Sequence, residues 1–110
     1  MNDWNACREA LTVRLREFSK LAPDTMKGIV SLGQAGTKTN HLDAKTRELI
    51  SLAVAVTTRC DGCITVHVAE AKRAGATVEE LSETLGVAIN LNAGAALVYS
   101  ARALDAFDKM

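Results

Sequence analysis

Apolar residues recur along this chain at steps of three and four, with hardly any alternation of step two. Trp4, Cys7, Leu11, Leu15, Phe18 and Ala22 make one such stripe. Arg8, Arg14, Arg16 and Glu17 fall beside it, as on an amphipathic helix. Cys7 belongs to the stripe and reads as a small buried hydrophobe. Ala22-Pro23-Asp24 ends this helix and opens a second, because proline is tolerated in a first helical turn. Met26, Ile29, Val30 and Gly33 give the second helix a short apolar face, and Gly36 is placed to end it. Thr37 to Leu42 reads as a polar loop in which His41 is solvated. Asp43 is a good N-cap, with Leu42 before it as a staple onto the stem of Arg47. From Leu49 to Val56 every residue except Ser51 is apolar, so this third helix is buried on most sides.

A fourth helix runs through Val66, Ala69, Glu70 and Arg73 to Ala74, with Gly75 at C′. Thr77 and Glu80 form the capping box of a fifth, whose stripe is Val78, Leu81, Leu85 and Ala88 or Ile89. Asn90, Asn92 and Gly94 are poor helix formers and predict a break between Leu91 and Gly94. Leu97, Val98, Ala101, Leu104 and Phe107 then form a sixth, and the tail from Asp108 should fray. No strand, repeat or linker is visible. The expectation is one all-α domain of about six helices over residues 1–110.

Composition narrows the function classes. The 110 residues carry 13 basic and 13 acidic side chains, no basic patch stands out, and nucleic acid is not an expected partner. The N-terminus lacks the basic-then-apolar pattern of a secretory signal, and no apolar run reaches the ~20 residues of a membrane span. The expectation is a cytoplasmic protein with no membrane partner. In a reducing compartment a pair of close cysteines points to redox or metal chemistry rather than to a structural staple.

That pair lies in Cys60-Asp61-Gly62-Cys63-Ile64-Thr65-Val66-His67, a C-x-x-C-x-x-x-H following the apolar helix. The spacings i, i+3 and i, i+4 put Cys60, Cys63 and His67 on one helix face. A helix start favours a thiolate over a thiol. A thiolate can attack a peroxide O–O bond or a disulfide, and a second cysteine can resolve the product. This redox chemistry needs no cofactor and no metal. The competing chemistry is a zinc site of Cys60, Cys63 and His67, with Glu48 or water as fourth ligand. Structural zinc usually takes a further pair of ligands, and only Cys7 and His41 remain to supply it. Glu48 stands on an apolar face, where the simplest role is a surface pair with Lys45. A hairpin folded about Cys60 puts His67 opposite Ala53, leaving Glu48 roughly 7 Å away along the axis. A long side chain, a tilted crossing or a bridging water could close that distance.

The stretch L-D-A-K-T-R-E-L-I-S-L-A-V-A followed by C-D-G-C-I-T-V-H resembles the AhpD-like alkylhydroperoxidase and carboxymuconolactone decarboxylase superfamily. The resemblance spans about Met26 to Phe107. The family signature is a glutamate, eleven residues, then C-x-x-C-x-x-x-H, and Glu48, Cys60, Cys63 and His67 match it. What the resemblance implies is an all-helical homotrimer or homohexamer that reduces hydroperoxides. Cys63 would attack, Cys60 would resolve, and Glu48 and His67 would relay protons. The reductant would be a thiol or dithiol, such as a thioredoxin-like or lipoyl protein. The decarboxylase branch lacks the cysteine pair, and a lyase using Glu48 and His67 as acid and base is the alternative on the same fold. One departure stands out. Alkylhydroperoxidases carry a histidine inside the C-x-x-C, where this chain has Asp61 and Gly62.

Overall fold

The computed structural model describes Met1–Met110 and contains five helices and no strand. They are α1 (Trp4–Leu21), α2 (Pro23–Thr39), α3 (Ala44–Thr57), α4 (Asp61–Arg73) and α5 (Val78–Lys109). The start signals act as their chemistry dictates. Asp3 caps α1 through Ala6 N–H, and Asp43 caps α3 through Thr46 N–H. Pro23 opens α2, Thr77 and Glu80 close a complete capping box on α5, and Gly75 takes φ +85° after α4.

Two boundaries and one burial differ from expectation. Gly36 does not end α2, which runs to Thr39 and stops at Asn40 in the left-handed conformation (φ 50°). Asparagine accepts that region at low cost, so the stop moves three residues on. The break at Leu91–Gly94 is absent, and α5 continues for 32 residues. Asn92 explains part of this: its Nδ2 donates to Ala88 O at 2.7 Å and to Thr57 Oγ1 at 2.9 Å. The asparagine thus ties α5 to α3, and propensity gives way to tertiary contact. Cys7 is exposed rather than buried, as are Leu15 and Phe18 on the same stripe.

The core is small and lies between α3, α4 and α5. Only Leu52, Ala55, Thr65, Ala71 and Ala88 are buried. The chain exposes 8752 Å², where a compact monomer of 11.7 kDa exposes about 5,900 Å². Its radius of gyration is 17.9 Å, against about 13 Å for a compact chain of this length. The surplus of roughly 2,900 Å² matches a large protein–protein interface. It includes exposed apolar side chains of α2 and the C-terminal half of α5, among them Ile29, Leu32, Leu97, Val98, Leu104 and Phe107. Because α5 has no break, it is also long and apolar enough to cross a bilayer by length and composition alone. Its first half packs along α3 through Ala88 and Asn92, as a core helix does.

Lys45 does not pair with Glu48. Its Nζ lies 2.8 Å from Glu80 Oε2, joining the starts of α3 and α5. The Glu80 hydrogen bond and charge raise the Lys45 pKa, and the Lys45 hydrogen bond, with help from Thr77 N–H, lowers that of Glu80. A lowered carboxylate contributes stability above its unfolded value of about 4 and loses it as pH falls through the folded value. Glu80→Gln is therefore expected to melt below wild type at neutral pH, with the difference closing as the pH is taken down through the carboxylate range. Melting curves along that series check it; a gap that persists in acid contradicts the assignment.

Candidate active site

The short connection Thr58-Arg59-Cys60 folds α4 back onto α3 as a helical hairpin. Arg59 turns the chain with φ 54°, and Cys60 N–H donates to Ala55 O at 3.0 Å. Cys60 is itself the N-cap of α4: its Sγ accepts the Cys63 N–H at 3.2 Å. Few side chains can serve there, and a sulfur that accepts a helix N–H is a sulfur whose negative charge is favoured. Cys60 and Cys63 are joined as a disulfide with Cα atoms 5.2 Å apart. Both are half-buried, so a small molecule or a partner thiol can approach them.

Glu48 and His67 meet directly. Glu48 Oε2 lies 2.7 Å from His67 Nδ1, and the two side chains are 23% and 34% exposed. The offset expected from a simple hairpin is closed without a bridging water. A carboxylate can only accept, so Nδ1 carries the hydrogen and Nε2 is left to take or give a proton. His67 stands one helical turn from Cys63, the spacing at which side chains on a helix are neighbours. The four sequence-selected residues thus fall into two joined pairs, one of sulfurs and one of acid with base, on the facing sides of α3 and α4.

His41 and Cys7 are exposed and stand apart from this cluster. No group of three or more His, Cys, Asp or Glu side chains converges as a metal site, and sulfurs joined to each other are not available as thiolate ligands. Sequence reasoning missed Thr65. It is the one buried polar residue, and its Oγ1 donates to Trp4 O at 2.6 Å. A threonine among Ile64, Val66 and Val68 gives no periodic signal of that contact.

These features define an all-α domain in which a cysteine pair and a glutamate–histidine pair meet on one helical hairpin. The chain belongs to the carboxymuconolactone decarboxylase family, whose profile matches residues 23–106, from the start of α2 into the last turn of α5. An uncharacterized protein of Haemophilus influenzae is 49% identical over 105 residues, covering 96% of this chain and 93% of its own. An uncharacterized protein of Cupriavidus necator is 35% identical over 103 residues, covering 91% of each chain. The crystal structure of the apo form of a carboxymuconolactone decarboxylase family protein from Legionella pneumophila is similar in fold. It has a TM-score of 0.78 and 42% identity, and the match covers 99% of this chain and 97% of that one.

Proposed function

We propose that this protein is a thiol-dependent peroxidase that reduces hydroperoxides through Cys60 and Cys63. The observation that carries it is the 2.7 Å contact of Glu48 with His67 beside a cysteine pair capping a helix. In the reduced protein His67 Nε2 takes the Cys63 proton, and Glu48 holds the ring and balances its charge. The Cys63 thiolate attacks the peroxide ROOH. The O–O bond breaks, Cys63 becomes a sulfenic acid, and the leaving alkoxide takes the proton from His67 as ROH. Cys60 then attacks the Cys63 sulfur, forming the disulfide and releasing water. A thiol or dithiol reductant, thioredoxin-like or lipoyl-bearing, returns two electrons and two protons. The setting proposed is the cytoplasm, and the working form is a homotrimer or homohexamer.

The direct test is stoichiometric. One equivalent of peroxide should be consumed per pre-reduced chain, with a Cys60–Cys63 disulfide found by mass spectrometry. Peroxide left untouched by the reduced protein would turn attention to lyase chemistry by Glu48 and His67 alone. Glu48→Gln is expected to slow oxidation by about a hundredfold, the lower end of what a positioned acid–base group contributes, because His67 loses the carboxylate that balances its charge, while the fold is retained. An unchanged rate in stopped flow removes Glu48 from the relay. Cys7→Ser is expected to oxidise as wild type does, because Cys7 lies on α1 and outside the disulfide.

A further inference from the structure

Three contacts fix α1 and the residue before its cap to the first turns of α4. Thr65 Oγ1 donates to Trp4 O at 2.6 Å. Leu11 Cδ2 lies 3.0 Å from where a Cβ on Gly62 would stand, so this glycine leaves the space that Leu11 fills. Asn2 Nδ2 donates to Asp61 Oδ2 at 3.4 Å. The α4 residues involved, Asp61, Gly62 and Thr65, surround Cys63 in sequence. At 100° per residue, Gly62 and Thr65 share a face turned away from Cys63 and His67. Helix α1 therefore grips the cysteine turn from behind, on the side away from the half-buried Cys63 and His67. It also precedes residues 23–106, which the family profile matches.

We propose that α1 is a clamp that sets the redox equilibrium of the Cys60–Cys63 pair, with Thr65 and Leu11 as its positioning residues. A disulfide requires its two Cα atoms to be held within about 7 Å, and here they are 5.2 Å apart. Two free thiols impose no such restraint. Cys60 is an N-cap, half outside the helix, so the reduced turn can loosen in ways the oxidised turn cannot. Contacts at residues 61, 62 and 65 remove that freedom, and it belongs to the reduced state alone. A contact shifts an equilibrium only by treating its two states differently, and this one favours the disulfide. The inference rests on the disulfide and holds whatever its physiological oxidant.

The full-length protein is equilibrated with mixtures of reduced and oxidised dithiothreitol, and the reduced fraction is read from alkylation mass shifts. In this exchange the protein S–S bond breaks, the S–S bond of cyclic dithiothreitol forms, and two electrons and two protons move to Cys60 and Cys63. Thr65→Val is expected to favour the reduced protein about tenfold more than wild type, close to 30 mV. Thr65→Ser keeps the hydroxyl and should return to within about twofold of wild type. Leu11→Ala should shift in the same direction as Thr65→Val. Emission from Trp4, the single tryptophan, reports whether α1 has moved. A merely structural role would lower the melting temperature and leave the equilibrium in place. Wild-type equilibria in both Thr65→Val and Leu11→Ala overturn the clamp, as does a Thr65→Ser shift equal to that of Thr65→Val. Should Thr65→Val fail to fold, Leu11→Ala decides alone: a shift supports the clamp and none overturns it.

Discussion

Pre-reduced Cys63→Ser protein is expected to consume peroxide at least about a thousandfold more slowly than wild type, as loss of a covalent nucleophile does. Cys60→Ser is expected to react once and stop, leaving a sulfenic acid on Cys63 that dimedone traps. The sulfurs differ in surroundings. Cys63 has His67 one turn away, and His67 has Glu48 at 2.7 Å, so its proton has a path out. The Cys60 sulfur has the Cys63 N–H at 3.2 Å, which favours a negative charge that the exposed Asp61 carboxylate beside it opposes, and it has no base one helical turn away. A capping sulfur suits the resolving role. It is a good second nucleophile in forming the disulfide and a good leaving group when a reductant opens it. Dimedone labelling of Cys60 in Cys63→Ser at the wild-type rate, with Cys60→Ser inert, would reverse the roles and require the proton path to be redrawn around Cys60.

The other large effect concerns assembly. The protein is expected to scatter light as a stable oligomer of three or six copies at micromolar concentration. Val98→Asp with Leu104→Glu is expected to break it into smaller or unfolded species. At about 25 cal/mol per Å², an apolar surface of this extent left in water would forfeit much of the stability of a small domain. Val98, Leu104 and Phe107 are 75%, 69% and 85% exposed in the single chain. Aspartate at a covered position carries a desolvation cost that association cannot offset. A monodisperse wild-type monomer would mean that something other than a second copy covers this face.

The residues of the site were legible from their spacing because helical periods of three and four fix which side chains are neighbours. Cys63 and His67 share one face of α4 for that reason, with Cys60 at its N-cap. The pairing of Glu48 with His67 was expected from the family resemblance but could not be read from periodicity, because it depends on how α3 crosses α4, which a period does not encode. The same limit applies to Lys45, whose partner Glu80 is remote in sequence, and to Thr65, whose partner is a backbone oxygen. Helix starts were read well from Asp43, Pro23 and the Thr77–Glu80 box, since capping is local chemistry. The error at Asn92 came from treating asparagine as a weak helix former when its side chain had a tertiary partner to bind. Cys7 failed differently: a stripe says which residues share a face, and on α1 that face is only partly covered within one chain.

Glu80 also bears on how the chain reaches this fold. Its Oε1 accepts the Thr77 N–H that begins α5, and its Oε2 holds Lys45 at the start of α3. One carboxylate thus serves a local and a long-range contact at once. The costly nucleation of a 32-residue helix is coupled to its docking on a neighbour 35 positions earlier in sequence. Helices joined this way open together rather than fray one by one. Amide hydrogens in the first turns of α3 and α5 should therefore exchange as one group, and Lys45→Met should uncouple them into two.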